Sequence, residues 1–150
     1  MKKLTTIIII CLTAFSSFAQ LDIVKTEKPI EIGKITNLGQ LSIECEKYGE
    51  EYVFTYQDVK FQQLTDYKSF TLKNEQAFDD LYNLILENWE DPPKEDIMIK
   101  LDNGYLWVKF ARALGTTNVG FAHAMDENAD VIGISTWLTK RRLNKLFGKR

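Results

Sequence analysis

The sequence predicts an α+β fold, an antiparallel β-sheet meander of about seven to eight short strands with one long helix mid-chain and one short C-terminal helix packed on one face. Several segments alternate apolar and polar residues with a period of two, which is typical of strands with one buried face. Turn residues, such as those in Asp102-Asn103-Gly104, separate these segments. Two other segments place their apolar residues at helical spacing.

The first half of the chain predicts four strands, over residues 30–36, 41–47, 52–56 and 67–72, and the segment 58–66 fits no pattern clearly. In the second of these strands Leu41, Ile43 and Cys45 alternate with polar residues. The thiol of Cys45 is therefore expected to face the core. Because Cys45 is the one cysteine after residue 19, no disulfide within the exported chain is expected.

A helix is predicted to begin after Asn74, whose side chain is a good cap, and to end at Asp91-Pro92-Pro93. Its apolar positions recur at helical spacing and are Phe78, Leu81, Tyr82, Ile85 and Trp89. Acidic residues in its first turns complement the helix dipole.

Four more strands are predicted in the second half, over residues 97–101, 105–111, 118–124 and 131–135. A short basic helix follows, with Leu143, Leu146 and Phe147 on one face and Gly148 as its stop. We expect these three apolar residues to dock on the sheet while the charges face water. The alternative is that the helix lies on anionic lipid or meets an acidic partner.

The first nineteen residues have the three-part layout of a secretory signal peptide, with Lys2 and Lys3, then an apolar run, then Ser17 and Ala19 before the expected cleavage. Residues 20–150 are expected to form a single small domain. Bulky isoleucines precede Cys11, which disfavours lipid attachment. The protein is therefore expected to be periplasmic or extracellular, and soluble rather than lipid-anchored.

Charge is distributed unevenly along the chain. Residues 20–138 carry 11 basic and 21 acidic side chains, a net charge of −10, whereas residues 139–150 carry six basic and no acidic ones. An acidic body excludes the broad basic surface that nucleic-acid binding requires. An anionic partner could be recruited only at the basic end, and Lys140, Arg141 and Lys145 are the candidate binding residues there.

No motif for catalysis or for a cofactor is visible, and neither is predicted. The one histidine, His123, shares a strand face with apolar residues and is interpreted as a packed residue. Asp126, Asn128 and Asp130 supply oxygens at alternate positions, as in the first half of a calcium loop. Val131 and Trp137 stand where such a loop needs glycine and a bidentate glutamate, so a polar hairpin loop without metal is expected.

The strand that begins at Tyr105 is apolar on both faces. Leu106 and Val108 lie on one face, and Tyr105 and Trp107 lie on the other. Such a strand is either covered twice or presents a patch to a partner. Coverage of Tyr105 and Trp107 by a helix is the expectation, and the two residues are candidate binding residues if no element covers them.

These observations together predict an exported, non-enzymatic interaction module whose partner is an unknown protein or envelope surface. Two alternatives stay open. One is a small hydrolase with separated carboxylates, which would show a cleft with converging acids and shifted pKa values. The other is a peripheral envelope protein that contacts the membrane through the basic C-terminal helix.

Overall fold

The computed structural model describes residues 28–61, 66–127 and 133–149 of the chain. Its elements in chain order are β1 (Ile30–Asn37), β2 (Gln40–Tyr48), β3 (Glu51–Gln57), β4 (Tyr67–Leu72), α1 (Glu75–Glu87), β5 (Ile97–Leu101), β6 (Gly104–Ala113), β7 (Thr116–Ala124), β8 (Gly133–Ile134) and α2 (Lys140–Leu146). A 3-10 turn at Val59–Phe61 follows β3. The expected signal segment 1–19 lies outside the described residues, so its cleavage after Ala19 stays a prediction.

The strands form two antiparallel four-stranded sheets where the sequence predicts one. Sheet A has the order β1-β2-β3-β4 and sheet B the order β5-β6-β7-β8, so consecutive strands are neighbours within each sheet. The connection from β4 to β5 contains α1, and it is long enough for β5 to start a new sheet instead of pairing with β4. The α+β class, the antiparallel pairing and the number of strands are confirmed.

The inner faces of both sheets and the apolar faces of both helices meet in one core. In sheet A the Phe54 ring stacks on Phe70, its cross-strand partner, with ring centroids 4.8 Å apart. The Phe70 ring in turn lies 5.6 Å from that of Phe121 in sheet B. Because aromatic side chains bury large areas, these contacts join the two sheets more effectively than aliphatic ones would.

Helix α1 begins as predicted, because the Asn74 side chain accepts a hydrogen bond from the Ala77 N–H at 2.9 Å. Phe78, Leu81 and Ile85 are its buried residues. The helix ends at Glu87, earlier than predicted, so Trp89 lies beyond it and is nevertheless buried.

Helix α2 docks on the core as predicted. Leu143 and Leu146 are fully buried and Phe147 is 2% exposed. The helix approaches β1 at Gly33, where an added Cβ would collide with the carbonyl oxygens of Lys145 and Leu146. Gly33 therefore allows the end of α2 to lie directly against the sheet.

Candidate functional site

The outer face of sheet B carries a group of aromatic and apolar side chains that we call the aromatic face. Its members are Met98, Tyr105, Trp107, Ile134 and Trp137. Leu106 and Val108 of β6 are fully buried in the core, so the alternating residues Tyr105 and Trp107 point away from it. Their ring centroids lie 6.3 Å apart.

Small residues of β7 form the floor of the aromatic face. Tyr105 pairs across the strands with Ala124, and Trp107 pairs with Ala122. The two alanines are 4% and 3% exposed although they lie on the outer side of the sheet. The aromatic side chains opposite them therefore lie over this floor, as directly opposed cross-strand pairs do.

A β-bulge adds Trp137 to the aromatic face. The Ser135 N–H donates to the Phe121 carbonyl at 2.8 Å, and Leu138 pairs with Val119, so Thr136 and Trp137 together stand opposite Gly120. The Trp137 ring lies over Gly120, where an added Cβ would be 3.2 Å from the indole Cε3. Bulges commonly redirect a side chain near a functional site, and this one places an indole over Gly120, on the same face of the sheet as Trp107.

The remaining members of the aromatic face extend it along one row of the sheet. Met98 pairs with Trp107 and is 47% exposed, and Ile134 pairs with Ala122. Trp137 is 43% exposed. Lys109, which pairs across the strands with Gly120, forms an ion pair with Asp96, so a charged pair lies on the same face as the aromatic residues.

The expected helix over Tyr105 and Trp107 is absent from the described part of the chain. The buried residues of α1 and α2 belong to the core on the opposite side of sheet B. Neither described helix supplies this cover, because both sheets need a cover on their inner faces and each helix has a single apolar face. The outer face of sheet B is therefore partly open to solvent.

The predicted basic residues of the C-terminal segment fall into two groups. Lys140 lies 3.7 Å from a Glu90 carboxylate oxygen and 6.0 Å from the Trp89 ring centroid, and Lys149 lies 3.0 Å from Asp79. Arg141 and Lys145 are on the other side of α2. They line a groove of about 390 Å³ together with Ile35, Thr36, Thr139 and Arg142.

Asp58 is a buried charged residue that the sequence analysis did not identify, because it lies in the segment 58–66, which has no clear pattern. Its carboxylate is fully buried. Oδ1 accepts hydrogen bonds from the N–H of Lys60 at 3.0 Å and of Ile134 at 3.3 Å, and the Lys68 ammonium lies 2.9 Å from Oδ2. Burial acts to raise the pKa of Asp58, but these contacts outweigh it and the pKa lies below its usual range.

The contacts of Asp58 indicate that its carboxylate connects parts of the fold and does not act as a general acid. Its partners come from the 3-10 turn, β4 and β8, so one carboxylate joins the two sheets. A general acid needs a raised pKa, and the shift here is downward. The nearby Tyr56 hydroxyl is buried, and burial together with the charge of Asp58 raises its pKa.

His123 lies inside the fold near the same cluster. Its Nε2 lies 3.0 Å from the Asn103 carbonyl oxygen, to which the neutral ring donates a hydrogen bond. Burial lowers the pKa of His123 below its usual value, with a further contribution from the positive charge of Lys68, and the Asn103 contact opposes this only in part. The imidazole is therefore neutral at pH 7.

Cys45 is fully buried, as predicted. Burial raises the pKa of its thiol to about 12, with a smaller contribution from Glu46. A thiol with such a pKa carries almost no thiolate at pH 7, so it is a poor nucleophile and a poor metal ligand.

An apolar cleft of about 390 Å³ opens between α1 and β5. Its apolar lining includes Leu72, Leu81, Leu84, Ile99 and Leu101, and Lys73, Asp80, Lys100 and Asp102 add charged groups to the lining. A cleft of this size can accommodate a small apolar group. It lies on the core side of sheet B, away from the aromatic face.

The expected oxygen loop is only partly described. Asp126 is exposed, whereas Asn128 and Asp130 lie outside the described residues. Within the described ranges, no group of three or more His, Cys, Asp or Glu residues is arranged to hold a metal ion. The helices in the same ranges are all too short or too polar to cross a membrane.

The chain matches no protein-family model, no curated protein and no solved structure. Trp137 is the aromatic residue of this candidate site that the sequence analysis did not identify. The signal that indicates it is the run of small residues at alternate positions of β7, Gly120, Ala122 and Ala124, because a glycine inside a strand often marks the close approach of another group.

Proposed function

We propose that the protein is an exported, non-enzymatic interaction module that binds a protein partner through the aromatic face. The observation that carries this proposal is the arrangement of Tyr105, Trp107 and Trp137 on a floor of glycine and alanine, with no described helix over them. Tryptophan, tyrosine and methionine are the residues that protein interfaces favour.

The aromatic face is already ordered before a partner arrives. The rings of Tyr105 and Trp107 lie against opposing alanines, and the bulge fixes Trp137 over Gly120. Rigid aromatic side chains lose little conformational entropy on binding, so a larger part of the buried apolar area contributes to affinity. A protein partner is favoured over a polar polymer because Met98 and Ile134 add aliphatic area beside the rings.

Substitution of the aromatic face tests this function. Interface tryptophans often contribute about 2 kcal/mol or more, so Trp107→Ala is expected to weaken binding about thirtyfold. Tyr67→Ala is the matched control, because Tyr67 is an exposed aromatic residue at 40% exposure on sheet A. The mature chain and both variants are used as bait for the envelope fraction, and the recovered partner is then titrated against each.

The two other functions expected as alternatives have less support. A hydrolase with separated carboxylates needs an acid with a raised pKa in a cleft, whereas Asp58 is buried and its pKa is lowered. A peripheral membrane role for α2 would need apolar side chains that can enter the bilayer. Leu143, Leu146 and Phe147 are in the core, which leaves only the charges of α2 for a surface contact.

A further inference from the structure

We propose that the groove between β1 and α2 is a second binding site, separate from the aromatic face, and that it takes a phosphate group carried by a soluble ligand. We call it the basic groove. Its lining residues are Ile35, Thr36, Thr139, Arg141, Arg142 and Lys145, and its volume is about 390 Å³. The contacts to the ligand come from side chains on the two walls.

Three cations of the basic groove have no acidic partner among the described residues. Each of the other two described cations in this segment is matched with an acid, Lys140 with Glu90 and Lys149 with Asp79. Arg141, Arg142 and Lys145 form no such ion pair within the ranges described, and all three converge on the same groove. Positive charge is therefore concentrated at a place where none of the described acidic side chains forms an ion pair with it.

The walls of the basic groove are held in place by the core. Leu143 and Leu146 are fully buried, and Gly33 lets the end of α2 lie directly against β1. The Arg142 guanidinium donates a hydrogen bond to the Asn37 side-chain oxygen at 3.2 Å, which orients it beside Thr36. The cations are thus presented by a fixed backbone, which lowers the entropic cost of binding.

Charge and geometry select the ligand. Arginine guanidinium groups bind phosphate through paired hydrogen bonds, and the hydroxyls of Thr36 and Thr139 line the same groove. Three positive charges favour a ligand with two or more negative charges, such as a phosphomonoester or a diphosphate. The rest of the mature chain is acidic and repels such ligands elsewhere. A soluble phosphate compound is favoured over a lipid headgroup as the ligand, because the apolar residues of α2 are buried and cannot enter a bilayer.

Titration with inorganic pyrophosphate at low salt tests the basic groove. Calorimetry on the mature chain is expected to give a dissociation constant below about 1 mM. The variant Arg141→Gln/Lys145→Gln is expected to bind about tenfold more weakly or worse, because charge-assisted hydrogen bonds are lost. The matched control is Lys140→Gln/Lys149→Gln, which also removes two positive charges, but from the two lysines that form ion pairs. This variant should keep the wild-type affinity within about twofold.

Three outcomes would overturn the proposal. They are no binding of pyrophosphate, an equal loss of affinity in both double variants, and binding to phosphatidylglycerol vesicles without binding to pyrophosphate. Equal losses would mean that affinity follows the total charge of the protein and does not depend on this groove.

Amide NMR shifts of the wild-type chain provide a measurement that needs no variant. On addition of pyrophosphate, the shift changes are expected to cluster at Thr36, Thr139 and their neighbours. Because the aromatic face is on a different sheet, these results leave its role in protein binding to be tested separately.

Discussion

Replacement of Phe147 by alanine tests how α2 is attached to the core. The Phe147 ring is 2% exposed and contacts three other rings, with centroids 4.9 Å from Phe78, 5.2 Å from Tyr82 and 5.4 Å from Phe54. These partners belong to α1 and β3, so the ring joins the C-terminal helix to two other elements. Removing a fully buried phenylalanine ring costs about 3–5 kcal/mol, since it loses both transfer free energy and packing around the cavity.

We expect Phe147→Ala to lower the free energy of unfolding by about 4 kcal/mol, a large part of the 5–15 kcal/mol that is typical of a domain. Urea unfolding followed by tryptophan fluorescence measures this, with the m-value as a check on two-state behaviour. The control is Arg141→Gln/Lys145→Gln, whose exposed side chains should change stability by less than about 0.5 kcal/mol. A loss below about 1.5 kcal/mol at an unchanged m-value would refute the packing of α2 described above.

The remaining predictions concern buried groups. Cys45 should react with a thiol reagent only after denaturant is added, and fast labelling of the folded protein would show that its strand face is misassigned. Asp58→Asn should cost about 3 kcal/mol in urea unfolding, because it removes the buried negative charge that faces the Lys68 ammonium at 2.9 Å, and adding Lys68→Met should recover part of that loss. The lowered pKa of His123 means that the unfolded chain binds a proton first as pH falls below about 6.5, so stability should decrease from pH 7.5 to pH 5.5 and His123→Gln should remove that decrease. A pH dependence that is unchanged in the variant would contradict the burial of a neutral imidazole.

Much of the fold could be predicted because local patterns determine it. The alternation in residues 41–47 and the turn at Asp102-Asn103-Gly104 correspond to β2 and to the β5–β6 hairpin. Asn74 caps α1 and the apolar face of α2 is buried, as their spacing indicates. In each of these elements, the residues that form the pattern are close in the sequence, and the same residues make the contacts that the pattern predicts.

The division into two sheets could not be read from the sequence, because it depends on whether β5 pairs with β4 or moves away from it. Both arrangements have the same alternating pattern along each strand. For a related reason the expected cover over Tyr105 and Trp107 does not come from α1 or α2, since an apolar strand face does not indicate which element, if any, packs on it. Asp58 was missed because its partners, Lys60, Lys68 and Ile134, come from three segments that only the fold brings together.

The candidate site was predicted in part. Tyr105 and Trp107 were recognised from the two apolar faces of β6, whereas Trp137 depends on a bulge that one sequence does not reveal. Among the basic residues, no sequence pattern separates Lys140 from Arg141 and Lys145. The separation arises from the way in which α2 docks, with Glu90 on one side and β1 on the other.

Binding through the aromatic face is tested most directly by comparing partner recovery by the mature chain, a Trp107→Ala/Trp137→Ala variant and the Tyr67→Ala control. All three are first shown by circular dichroism to be folded, and then each is used as bait for the envelope fraction under the same conditions. We expect that one protein is recovered with the wild-type chain and with Tyr67→Ala, that it binds both with the same affinity in a direct titration, and that it is lost with the double variant. A partner that the double variant retains at wild-type affinity would contradict binding through the aromatic face.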